Sequence, residues 1–137
     1  MNTSRYSPLA QYRCVGAYGS VENADPHRLV ALLFDGMAEA LGGARAAIER
    51  GDTVAKGTEI RKAAGILDAL RSSLNLDEGG EMATNLARLY DYMGREITRA
   101  NLHDASDALT SATQVNETLR AAWQSIPEEA RSGNLAA

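Results

Sequence analysis

The chain has 137 residues, 45% of them hydrophobic, and a formal net charge of −4; this predicts one globular domain with its own core. No Lys/Arg run exceeds two residues, so the basic patch of a nucleic-acid surface is missing. Cys14 is alone and the longest apolar run is Leu29–Leu33 with Phe34 after it, which argues against a disulfide framework, a signal peptide and a membrane span, and fits a soluble protein of the reducing cytosol.

Residues 1–24 carry no helical stripe. They hold Tyr6, Tyr12 and Tyr18, three of the five tyrosines, together with Pro8, Gly16 and Gly19. The expectation is a mobile N-terminal arm, with room for one short helical turn near Leu9–Val15. Two readings of its aromatic rings stand side by side. They pack loosely on the domain, or they cover an apolar groove and can leave it.

Helix formation should begin at Asp25, a capping residue, with Pro26 at the first helical position. Leu29, Leu32, Leu33, Gly36, Ala40 and Ala44 form one stripe, widened by Val30, Phe34, Met37, Leu41 and Ile48. Gly51 ends this helix and Asp52 caps the next, which runs to about Leu74. Its seam is Ile60, Ala63, Ala64, Leu67, Leu70 and Leu74. Asn75 to Gly80 is turn chemistry.

A third helix is expected over Glu81–Asn101. Met82, Leu86, Leu89, Met93, Ile97 and Ala100 recur at steps of three and four, the apolar seam of a bundle, with Tyr90 and Tyr92 beside it. After a turn at Asn101–Asp104, a fourth helix spans about Ala105 to Ile126. Its seam is Ala108, Leu109, Ala112, Val115, Leu119, Ala122, Trp123 and Ile126. Its other positions are largely Ser, Thr, Asn and Gln, so packing must hold it. Trp123 should plug one end of the core and needs a partner for its indole N–H. Pro127 stops the helix and residues 127–137 form a flexible tail. Four helices of about 20 residues with short connections predict an all-α, antiparallel up-down-up-down bundle over 25–126.

No catalytic set emerges. His27 and His103 belong to no metal-ligand spacing, the Glu-x-x-His pairs of a di-iron bundle are missing, and both histidines read as surface residues. Cys14 has only Arg13 as a basic neighbour, so a reactive thiolate is not indicated. Asp77, Glu78 and Glu81 suit a helix N-terminus better than a cation loop. Asp91 and Arg95 suit a surface pair. The expectation is a non-enzyme with no cofactor and no metal. Bundles rich in Ala, Gly and Leu have shallow apolar grooves that fit a partner helix with anchors at i, i+3, i+4 and i+7.

Several motifs together resemble the FliS family of flagellar secretion chaperones. They are Tyr12, Asp25-Pro26-His27-Arg28-Leu29-Val30, Leu33-Phe34-Asp35-Gly36, Glu49-Arg50-Gly51-Asp52, Glu78-Gly79-Gly80-Glu81, Leu89-Tyr90-Asp91-Tyr92-Met93, Ala100-Asn101 and Ala122-Trp123. The resemblance covers about Tyr12 to Ile126. It implies a four-helix bundle that binds the disordered C-terminal segment of flagellin in the cytosol, prevents early polymerisation and delivers it to the flagellar type III export gate. It also implies contacts with other flagellar regulators. The segment around Tyr12 is similar to the part of the family that lies over the flagellin groove and takes part in export-gate contact. Cys14, Gly16 and Gly94 depart from the family's usual residues. Leu86, Tyr90, Met93 and Ile97 are candidate flagellin contacts. For Leu86, Met93 and Ile97 the seam spacing favours core positions over groove contacts, whereas the Tyr90 hydroxyl suits a wet edge. Two rivals are a scaffold that oligomerises through its apolar faces and a cofactor or di-metal bundle enzyme.

Overall fold

The computed structural model describes residues 25–74 and 76–126, and for 76–78 the backbone alone. The arm with Tyr12 and Cys14, and the tail with Pro127, lie outside the described residues. Among the described residues four helices follow one another: α1 Pro26–Glu49, α2 Thr53–Ser72, α3 Leu76–His103 and α4 Ser106–Gln124. They form a ring in which each packs on the two beside it. The α1–α2 contact is the most extensive and the α2–α3 contact the thinnest.

Local chemistry sets the helix ends. The Asp25 carboxylate accepts from the Arg28 N–H at 2.7 Å, with Pro26 behind it, satisfying one of the donors a helix start leaves open. At the other end of α1, Asp52 N–H donates to the Ala47 carbonyl and Gly51 N–H to the Ile48 carbonyl. This paired closure needs a left-handed residue, and Gly51 sits at φ 72. Asp52 then caps α2 by accepting from Ala55 N–H at 3.0 Å. Three residues therefore close one helix and open the next antiparallel to it.

The connection before α3 is more helical than its turn-forming residues suggest. Leu76–Gly79 form a helical turn, and the break falls at Gly80, with φ 57 and ψ −134. Only glycine adopts such a pair comfortably. The long part of α3 thus begins at Glu81, where the sequence places it. At its far end Lys56 of α2 donates to the Asn101 carbonyl at 3.1 Å and pairs with Asp104 at 2.6 Å. A cation satisfying a terminal carbonyl also opposes the negative end of the helix dipole.

Side-chain pairs confirm the antiparallel order. Arg120 near the end of α4 pairs with Asp35 near the start of α1 at 2.7 Å. Arg99 near the end of α3 reaches Asp107 at the start of α4 at 3.0 Å. Asp91 does not pair with Arg95 along its own helix as expected. It pairs with Arg71 of α2, because that cation faces it across the thin α2–α3 contact.

The core differs from the expected seams in three informative ways. In α3 the buried seam is Ala83, Tyr90, Met93, Ile97 and Ala100, with Leu86 half-buried, a spacing of three and four throughout. Met82 and Leu89, expected inside, are 69% and 39% exposed. In α2, Ile66 and Ala69 are buried while Ala64 is exposed. In α4, Asn116 is fully buried. Its Nδ2 donates to the Phe34 carbonyl of α1 at 3.1 Å, and its Oδ1 has no partner among the described residues.

Candidate functional site

One end of the bundle is made by the first turns of α1, the last of α2, the first half of α3 and the last turns of α4. A reciprocal clasp holds α1 and α4 together there. The Trp123 indole N–H donates to the His27 carbonyl at 2.9 Å. His27 Nε2 lies 2.9 Å from the Trp123 carbonyl, so that nitrogen carries the hydrogen. The two rings stack with centroids 5.0 Å apart and 12° between planes, and Phe34 packs at a tilt 6.5 Å from the indole. Trp123 does close one end of the core, as its position suggests. His27, which sequence reasoning leaves on the surface, is half-buried as its partner.

Beside this clasp lies an apolar cavity of about 190 Å³. Val30 and Phe34 of α1, Leu74 after α2, and Leu119, Trp123 and Ile126 on or just after α4 line it, with Met82, Leu86 and Tyr90 supplied by α3. Among the described residues no charged side chain is in the lining. A dry cavity of about 150 Å³ can hold a benzene ring, so this one has room for a large apolar side chain.

Two grooves run on from the cavity, each sharing a residue with it. Leu119 also lines a shallow depression of about 200 Å³ between α3 and α4, with Leu89 and Val115. Tyr90 also lines a wider groove of about 560 Å³ between α2 and α3. Ala64, Leu67 and Gly94 supply its small and apolar part; Asp68, Arg71, Asp91 and Arg95 line it too. A Cβ at Gly94 would meet Leu67 Cδ2 at 3.4 Å, an ordinary contact. Glycine there widens the groove rather than relieving a clash.

The outward stripe of α3 is now explained. Met82, Leu86 and Leu89 stand at i, i+4 and i+7, a continuous apolar line along one helix face. The bundle core uses the neighbouring face, leaving this line partly or largely exposed. Thus α3 carries more apolar surface than four-helix packing consumes, and the surplus borders the cavity and the α3–α4 depression.

The expected site residues separate accordingly. Leu86 and Tyr90 line the cavity, whereas Met93 is fully buried and Ile97 nearly so within the core. Tyr90 is itself only 4% exposed, a member of the seam rather than a flank of it. Burial pushes its hydroxyl up to about 12, so the phenol stays protonated over the physiological range. Tyr12 lies outside the described residues. Sequence reasoning did not single out Met82, Leu119 or Trp123 as site residues, because each also fits a core stripe. Among the described residues no group of three His, Cys, Asp or Glu side chains could hold a metal ion, and no helix is long and apolar enough to cross a membrane. What this surface can offer a ligand is desolvation of apolar groups.

Comparison with known proteins gives this geometry a context. Residues 9–130 match the family model described as flagellar protein FliS. The chain is 40% identical over 125 residues to the flagellar secretion chaperone FliS of Salmonella typhimurium, covering 90% of this chain and 93% of that one. It is 38% identical over 118 residues to the flagellar secretion chaperone FliSB of Pseudomonas aeruginosa (86% and 94%). Against the flagellar secretion chaperone FliS of Vibrio cholerae the identity is 35% over 121 residues (88% and 89%).

Proposed function

This chain belongs to the FliS family of flagellar proteins, and from that premise we propose that it is a cytosolic export chaperone for flagellin. It binds the disordered C-terminal segment of flagellin, keeps it from polymerising and delivers it to the flagellar type III export gate. The observation that carries this reading is the apolar stripe Met82–Leu86–Leu89 beside a cavity whose described lining holds no charged side chain. A segment built for helical assembly carries an apolar face that is unsatisfied while it is disordered. Laying that face along α3, with one large side chain in the cavity, removes both apolar surfaces from water. Ordering the segment costs about 2–5 kcal/mol, which keeps the complex releasable.

In this reading the arm around Tyr12 shields the same apolar surface when flagellin is absent and contributes to the export-gate contact. Other flagellar regulators are further partners. Tyr12→Ala should lower flagellin secretion more than it lowers bundle stability; an unchanged secretion rate would count against the arm's role.

The direct test mixes the purified chain with a peptide of flagellin's last ~50 residues, a length set by wrapping helices around a bundle of this size. The expected result is one-to-one binding with a gain of helix by circular dichroism. Well-folded protein that leaves the peptide unbound, and associates only with itself, would favour a scaffold instead.

A further inference from the structure

The end cavity contains an imbalance in its hydrogen bonds. Apart from backbone, three of the described lining residues carry a polar side-chain group: Ser73, Tyr90 and Trp123. Ser73 Oγ–H donates to the Leu70 carbonyl at 2.7 Å. The Trp123 indole donates to the His27 carbonyl at 2.9 Å. The Tyr90 hydroxyl alone has no hydrogen-bond partner among the described residues; its residue is 4% exposed, yet its oxygen is not sealed from water as the unpaired Asn116 Oδ1 is, so it reaches solvent. In the free bundle water can satisfy it; a partner laid over the cavity takes that water away, and a polar group left unpaired when covered opposes binding. Phenylalanine would fill the same seam position with no group to satisfy. The hydroxyl therefore makes no side-chain bond in the free bundle and becomes useful when something bound beside it supplies one.

We propose that Tyr90 is a specificity-determining residue of the docking surface, its hydroxyl forming a hydrogen bond with the bound segment. This deepens the chaperone reading and rests on it. The chemistry defines the group that meets it. Inside the end cavity, unlike the α2–α3 groove, a charged side chain would lose its hydration among described lining residues that offer no counter-charge. A neutral one, an Asn or Gln amide or a Ser or Thr hydroxyl, satisfies the phenol at little cost. The cavity's size calls for a large apolar side chain close by. The recognised segment thus presents a ring or branched aliphatic anchor with a neutral hydrogen-bonding residue about one helical turn away, where side chains on one helix face are neighbours. Sites that hydrogen-bond a ligand discriminate against isosteres lacking the group far more sharply than apolar pockets discriminate by size.

The test compares the full-length chain with Tyr90→Phe, measuring urea midpoints and affinity for the ~50-residue flagellin C-terminal peptide. The expected result is a midpoint equal to or above the parent's, with binding weakened about tenfold. A peptide series then changes each Asn, Gln, Ser and Thr to Ala in turn. One change should weaken binding to the parent about tenfold and leave binding to Tyr90→Phe unaltered, the signature of a coupled pair. Equal affinity of parent and Tyr90→Phe would overturn this inference while leaving the chaperone reading intact. A lower midpoint for Tyr90→Phe would also overturn it, because the hydroxyl would then serve the free bundle. Failure of the parent to bind the peptide at all would overturn both.

Discussion

Removing the His27 ring tests whether the α1–α4 clasp holds the wall of the cavity. His27→Ala deletes a stacked ring pair at 5.0 Å and one hydrogen bond to the Trp123 carbonyl. The indole's own bond survives, since it goes to the backbone carbonyl of residue 27. A stacked pair contributes about 0.5–1.5 kcal/mol and a net hydrogen bond about the same. The site is half-buried, so a loss of about 2 kcal/mol is expected. For a chain of this length that lowers the melting temperature by about 5–8 °C. His27→Phe keeps the stack and loses the bond, and should show about half the effect. Thermal denaturation followed by circular dichroism gives both numbers, and Trp123 fluorescence reports the indole's surroundings directly. Melting of His27→Ala within about 1 °C of the parent, with unchanged emission, would refute the idea that this contact fixes α4.

Three other perturbations probe the bundle. Asn116→Leu replaces a buried amide, its Oδ1 unpaired among the described residues, with an apolar side chain of similar size; urea denaturation should show a gain of about 1 kcal/mol. Gly80→Ala forces a Cβ onto φ 57 and ψ −134 and should cost about 1–3 kcal/mol, with a change in helix content at the start of α3. The third concerns alkaline pH. The Tyr90 phenol is raised to about 12 by burial, against about 10 in the unfolded chain. Between those values the folded state holds a proton the unfolded state has released. Stability from this group is therefore complete below pH ~10 and falls by about 2–3 kcal/mol as pH rises to ~12. Urea midpoints across that range should decline more steeply for the parent than for Tyr90→Phe; parallel slopes would contradict the assignment.

The helices and their ends were legible because their signals are local. Asp25-Pro26 and Gly51-Asp52 use caps and a left-handed turn whose chemistry lies within a few residues. The facing of α3 was not. Met82–Leu86–Leu89–Met93 and Ala83–Leu86–Tyr90–Met93 are interleaved sets at the same spacing, about 100° apart at their differing members. Hydropathy favours the bulkier first set, yet packing against Leu67 and Leu119 selects the second. The surplus set is the candidate docking stripe, so the misreading of the seam and the reason for the site have one cause. The surroundings of Tyr90 and the burial of Asn116 depend on neighbours 82 residues away or on other helices, which composition and periodicity do not encode. The part of His27 in the clasp, set by a residue 96 positions away, was hidden for the same reason.

The most direct measurement uses the apolar residues at the two ends of the molecule against each other. Met82 and Leu89 border the cavity and the α3–α4 depression, while Val54 and Leu102 are exposed at the opposite end, where Lys56 ties α2 to α3. The double variants Met82→Glu/Leu89→Glu and Val54→Glu/Leu102→Glu change equal charge at exposed positions and should both fold. Calorimetric titration with the flagellin C-terminal peptide should then show binding weakened at least ~100-fold for the first, as expected when two apolar anchors are lost, and unchanged for the second. Equal affinities for the two variants would contradict the claim that the surplus face of α3 is where this protein receives its partner.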